Sequence, residues 1–136
     1  MADPYVLKKR LPHFSYQQAL ARVQELLPEE GFGILTTIDV RETMREKLDV
    51  EFRPYTILGA CNPSLAHRAL TAEPDLGALL PCNVVVMEGE DGGAVVSVFK
   101  PTAGFTLVDN AQLDAVADEV EARLTRVRAR LEPGCA

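Results

Sequence analysis

Residues 82–99 read CNVVVMEGEDGGAVVSVF. Two valine-rich runs flank Gly89-Glu90-Asp91-Gly92-Gly93, which is the pattern of a β-hairpin. A hairpin makes its two strands antiparallel. It therefore counts against a doubly wound parallel sheet, which needs a long crossover between successive strands.

Upstream of the hairpin, PYTILGAC (54–61) predicts another strand. Asn62 then caps a helix with Pro63 at its first position, where a missing N–H costs least. Leu65, Ala66, Ala69 and Leu70 form the expected buried face of that helix. Further back, FGILTTIDV (32–40) reads as a strand, and Asp39 with Glu42 as the cap of a short helix through Val40, Met44 and Leu48. The first strand is YVLKKRL (5–11). After it, Ser15 and Gln18 match a capping box, and Ala19, Leu20, Val23, Leu26 and Leu27 recur at helical spacing. Pro28 disturbs the last turn of that helix and Gly31 ends it.

Downstream of the hairpin, a long helix opens with Asp109 and Gln112 as its expected cap. Its apolar stripe is Leu113, Val116, Ala117, Val120, Leu124, Val127 and Leu131. Acids dominate its first half and arginines its second, as the helix dipole favours. The whole order predicts an α+β fold: a mostly antiparallel sheet of about five strands with two long helices on one face.

These strands do not alternate apolar and polar residues, as a sheet with one wet face should. Tyr55, Ile57 and Cys61 oppose Leu58 and Ala60. Val84 and Val86 oppose Val85 and Met87, and Val96 and Val98 oppose Val95 and Phe99. One helical layer covers one face. The other face calls for a second copy of the chain, as a homodimer, or for a small apolar ligand. A charge at Val85 or Val96, according to which face is free, would break such a dimer.

The chain of 136 residues is expected to form a single domain over 1–136. At this length folding buries roughly 68% of the unfolded surface, so no disulfide or metal staple is required. The net charge of −6 counts against nucleic acid and anionic membranes, which need a basic footprint. RLTRVRAR (123–130) reads as the solvated face of a helix. No apolar run approaches the ~18 residues of a membrane span. The start, MADPYVLKKRLPH, is too polar for a secretory signal. With three cysteines and no signal, the expected location is cytoplasmic, with thiols reduced.

The dipeptide Cys-Asn occurs twice, as Cys61-Asn62 and Cys82-Asn83. If their strands are antiparallel neighbours, both copies share one rim of the sheet. Cys61 would lie near a helix N-terminus, which favours a thiolate, with His67 one turn into that helix. Cys61, Asn62, Cys82, Asn83 and His67 are thus the candidate ligand-binding or redox residues. Three readings stay open: small buried hydrophobes, a thiol redox pair, or a soft-metal site for Zn or Cu(I) on Cys61 and Cys82. No C-x-x-C supports the metal, and Cys135 reads as a neutral tail residue. GFG and GEDGG read as a helix stop and a hairpin turn, and neither has the strand-to-helix context of a phosphate loop. His13 reads as a structural loop residue. With no nucleophile elbow and no acid/base pair, the expectation is a non-enzymatic protein without a cofactor.

GFGILTTIDVRETMREKLDVEFRPYTILGACNPSLAHRAL (31–70) followed by LLPCNVVV (79–86) resembles the bacterial and archaeal domain-of-unknown-function 302 family. The resemblance runs from about Ser15 to Leu131, and YTILGACNP and LLPCNVVV are its most specific pieces. It implies a TBP-like β-α-β4-α fold and dimerisation. In FKPTAG (99–104), Lys100 stands where many relatives carry an acidic residue. The family implies no activity, and TBP-like sheets serve varied ligands. The resulting expectation is a small binding or interaction domain, homodimeric through its sheet. The alternative is a thiol-redox or soft-metal protein using Cys61 and Cys82.

Overall fold

A computed structural model describes residues 4–132. The elements are β1 (Val6–Leu11), α1 (Tyr16–Glu29), β2 (Gly33–Asp39), α2 (Val40–Leu48), β3 (Tyr55–Cys61) and α3 (Pro63–Ala72). A 3-10 turn (Pro74–Leu79), β4 (Cys82–Glu88), β5 (Ala94–Phe99), α4 (Pro101–Gly104), a second 3-10 turn (Phe105–Leu107) and α5 (Gln112–Ala129) follow. The five strands form one antiparallel sheet in the order β1-β5-β4-β3-β2. The α+β fold expected from the hairpin is therefore the observed one. Cys135 lies outside the described residues.

Local chemistry sets the element ends. Ser15 Oγ accepts from the Gln18 N–H at 3.1 Å, and Gln18 Oε1 accepts from the Ser15 N–H at 2.9 Å, the reciprocal box expected for α1. Gly31 leaves that helix at φ 85° and Gly92 turns the β4–β5 hairpin at φ 87°, the left-handed region where a Cβ is unwelcome. The start of α5 differs from expectation. The cap position is Ala111, which makes no side-chain cap bond, and Asn110 just before it, rather than Asp109, accepts through Oδ1 from the Gln112 N–H at 3.0 Å. Asn110 Nδ2 also donates to Ala72 O at 3.0 Å and to Glu73 Oε1 at 3.1 Å, which ties α5 to the end of α3.

Register fixes which sheet face is which. Leu58, Val84 and Val98 lie side by side, as do Thr56, Val86 and Val96, and all are buried under α1 and α5. The helices contribute Ala19, Val23, Leu26 and Leu27 from α1 and the expected α5 stripe through Leu131. The α5 arginines do more than meet solvent. Arg126 pairs with Glu30 at 2.9 Å, Arg130 with Glu29 at 2.8 Å, and Arg123 Nη1 donates to Glu30 O at 3.0 Å. They clamp the end of α1.

On the helix-free face, Ile38, Ile57, Val85, Ser97 and Lys8 form one row, and Tyr55, Met87, Val95 and Arg10 the next. This face therefore grades from apolar at β2 to basic at β1. Val85 is on the free face and Val96 is in the core. Phe99 escapes that face, because its ring sits 6.5 Å from Phe105 where α4 folds over the end of β5.

The excursion between β2 and β3 stands apart. Helix α2 buries none of its residues. Its expected apolar positions Val40 and Met44 are only half-buried, and Leu48 is 65% exposed. Ile38 beside it is 46% exposed, and Val50 and Phe52 are exposed too.

Candidate functional site

The two Cys-Asn pairs do meet at one rim. Strands β3 and β4 are antiparallel neighbours, with Ala60 opposite Cys82 and Cys61 one residue further along. Asn62 caps α3 as expected: its Oδ1 accepts from the Leu65 N–H at 3.2 Å and from Ser64 Oγ at 3.3 Å. Its Nδ2 lies against Gly31, where an added Cβ would come within 2.8 Å of it. The stop of α1 and the start of α3 therefore pack directly together at this rim.

Beside this junction opens a cavity of about 260 Å³. Ala60 and Cys82 supply its sheet side, with Cys61 and Asn62 at the corner. Helix α3 gives Leu65, Ala66, Ala69 and Leu70, and Val116 and Val120 of α5 close the back. Leu80 and Pro81 complete it beside the 3-10 turn, with Phe105 beyond. The α3 face predicted to be wholly buried is thus only half so: Leu65 and Ala69 are buried, while Leu70 is 38% exposed at the opening. The period of the apolar residues was right, but among the described residues no side chain fills the space opposite Ala66 and Leu70.

The two thiols differ. Cys82 is buried, and that burial, with Cys61 nearby adding to it, pushes its pKa up to about 12. It stays a neutral thiol at physiological pH. Cys61 is half-exposed.

Not every candidate belongs to the site. Asn83 pairs with Gly59 and is exposed, and it does not line the cavity. Asn62 caps a helix, whereas Asn83 only starts a strand, so the repeated dipeptide is not a repeated structure. His67 is exposed and lines a separate shallow hollow with Arg68 and Thr71. Among the described residues, no three His, Cys, Asp or Glu side chains gather where they could hold a metal ion. Cys61 and Cys82 alone fall short of the usual tetrahedral zinc set. Sequence reasoning missed Phe105, Leu80 and the 3-10 turn as cavity walls. The only signal was an apolar stretch, LGALLP (76–81), too short to carry a helical period.

The arrangement defines a two-layer α+β domain with one free sheet face and an apolar cavity at one rim. The chain belongs to the family described as Domain of unknown function DUF302, whose model matches residues 7–131 and so takes in β1 as well. It is similar to a solved structure, that of the uncharacterized conserved protein DUF302 from Bacillus stearothermophilus. That likeness has a TM-score of 0.85 and 30% identity, over 93% of this chain and 98% of that one. An uncharacterized protein of Aquifex aeolicus (strain VF5) is 26% identical over 94 residues, 69% of this chain. The chain spans 59% of that relative's length. Among the described residues, no helix is long and apolar enough to cross a membrane.

Proposed function

We propose that this domain is a non-enzymatic interaction module that works as a homodimer, joined through the helix-free face of its sheet and the α2 excursion. The observation that carries the reading is the set of unburied apolar side chains there: Ile38, Leu48, Val50 and Phe52 are exposed, and Ile57, Val85 and Met87 are half-buried. Large contiguous apolar patches are uncommon on monomers, and these residues fall on one sheet face and in the excursion between β2 and β3. A nine-residue helix with no buried residue has little to hold it, since isolated helices below ~12 residues are marginal in water. A two-fold axis through the face covers both copies with one self-complementary contact.

Light scattering on the purified chain tests it. The monomer is 14.9 kDa. The expected mass at micromolar concentration is twice that, and Val85→Glu is expected to return it to the monomer value. A monomer at every concentration, with the free face unchanged, would remove the reading.

A second reading, a thiol-redox or soft-metal site, is favoured by Cys61 and Cys82 lining one cavity. The elevated pKa of Cys82 weighs against it, because the thiolate is both nucleophile and metal ligand. Titration with Cu(I) against a chromogenic chelator tests the metal branch. Stoichiometric binding lost in both Cys61→Ser and Cys82→Ser would favour it over the module.

A further inference from the structure

We infer that the cavity at the β3–β4 rim is a binding site for a small, uncharged, apolar molecule. Its volume of about 260 Å³ is larger than the ~150 Å³ apolar cavity that accepts benzene, so a fused two-ring compound or a short branched chain fits it. The space also reaches deep: Val116, Val120 and Phe105 at its back are core residues. A surface groove for an extended peptide would not extend into the core in this way.

The chemistry of the wall selects the ligand class. Among the described residues, no charged side chain lines the cavity. Asn62, its one amide, has Oδ1 engaged by the Leu65 N–H and Ser64 Oγ, and its Nδ2 lies against Gly31. A charged or strongly polar ligand would lose its hydration and find little in exchange. The proton retained on Cys82 agrees with a site of low polarity. Leu35 and Leu70 are exposed among the lining residues, and both are apolar, so an entering molecule meets apolar surface first. Cys61, half-exposed in the same wall, is a built-in reporter of occupancy. This site is separate from the dimer proposed above, since Val85, Met87 and α2 take no part in it.

The test uses the full chain with naphthalene as probe and 2-naphthoate as its charged counterpart of similar shape. Iodoacetamide labelling of Cys61 is followed by peptide mass mapping, alongside the thermal midpoint. Saturating naphthalene is expected to slow Cys61 labelling on the order of tenfold and to raise the midpoint by a few degrees, with 2-naphthoate doing neither. Ala66→Phe, which fills the cavity from α3, should abolish both effects while the protein stays folded. If that variant does not fold, Leu70→Trp at the opening serves the same purpose. The proposal is overturned if naphthalene leaves Cys61 labelling unchanged, if 2-naphthoate protects equally, or if protection survives in a folded cavity-filled variant. Light scattering in the same samples keeps the question of the dimer separate.

Discussion

Helices α2 and α3 both connect neighbouring antiparallel strands, and they begin alike. Asp39 Oδ1 accepts from the Glu42 N–H at 3.0 Å, and Asn62 Oδ1 accepts from the Leu65 N–H at 3.2 Å. After that first turn they diverge. Helix α3 buries Leu65 and Ala69 and packs against α5 and the 3-10 turn, while α2 buries nothing. The cap fixes where a helix starts, but burial is what holds a short helix in place. By that standard α3 is completed by its own fold, apart from the cavity beside Ala66 and Leu70. Helix α2 is not, and it lies next to the sheet edge where Ile38 is also exposed.

The largest expected effect lies on the α3 side. Cys82 is raised from an ordinary 9.0 to about 12 by burial. A group whose folded pKa is raised contributes stability that is intact below the unfolded value and lost as pH rises towards the folded one. Between pH 9 and 12 the native state should therefore lose on the order of 4 kcal/mol through this thiol. Cys82→Ala should start less stable but lose less over the same range, as read by urea unfolding at each pH. Parallel curves for the two proteins would mean that the thiol is not shielded from water.

Truncating a leucine in each helix sharpens the contrast directly. Leu65→Ala should cost about 2–3 kcal/mol, the lower part of the range for a core leucine because the adjoining cavity already relieves its packing. Leu48→Ala should cost less than about 0.5 kcal/mol in dilute protein, rising with concentration if a second copy covers it. Equal costs at all concentrations would erase the distinction. Removing the caps gives a smaller difference. Asn62→Ala should cost about 1–2 kcal/mol, since the amide is also packed against Gly31, and the exposed Asp39→Ala about 0.5 kcal/mol.

The smallest effect belongs to the clamp between α1 and α5. The Arg126 hydrogen bond, with Arg123 and Arg130 nearby, holds the Glu30 carboxyl below its ordinary 4.5. A depressed carboxylate contributes stability that is present above the unfolded value and lost as pH falls through the folded one. Acid below pH 4.5 should weaken the clamp, and Glu30→Gln should flatten that part of the stability profile. An unchanged profile would show the pair to be fully screened.

Much of this was legible in sequence because it depends on near neighbours. The hairpin at 82–99 forced antiparallel pairing, and Ser15 with Gln18 placed the start of α1. The meeting of Cys61 and Cys82 followed once β3 and β4 were taken as neighbours. Other features depend on contacts made across the fold. Alternation along each strand says that Val85 opposes Val84 and that Val96 opposes Val95, but only the pairing register and helix packing decide which of them is covered. Asn110 joins the start of α5 to the carbonyl of Ala72, distant in sequence. The cavity beside Ala66 and Leu70 was hidden for the same reason: periodicity marks an apolar face without measuring the volume opposite it.

The most direct test of the central claim, that a second copy completes α2, is amide hydrogen exchange of residues 40–48 at two protein concentrations. Slow exchange in α2 is expected in concentrated protein, with a return to near-unprotected rates on dilution, while α3 stays protected throughout. Exchange in α2 that is independent of concentration, whether fast or slow, would contradict it.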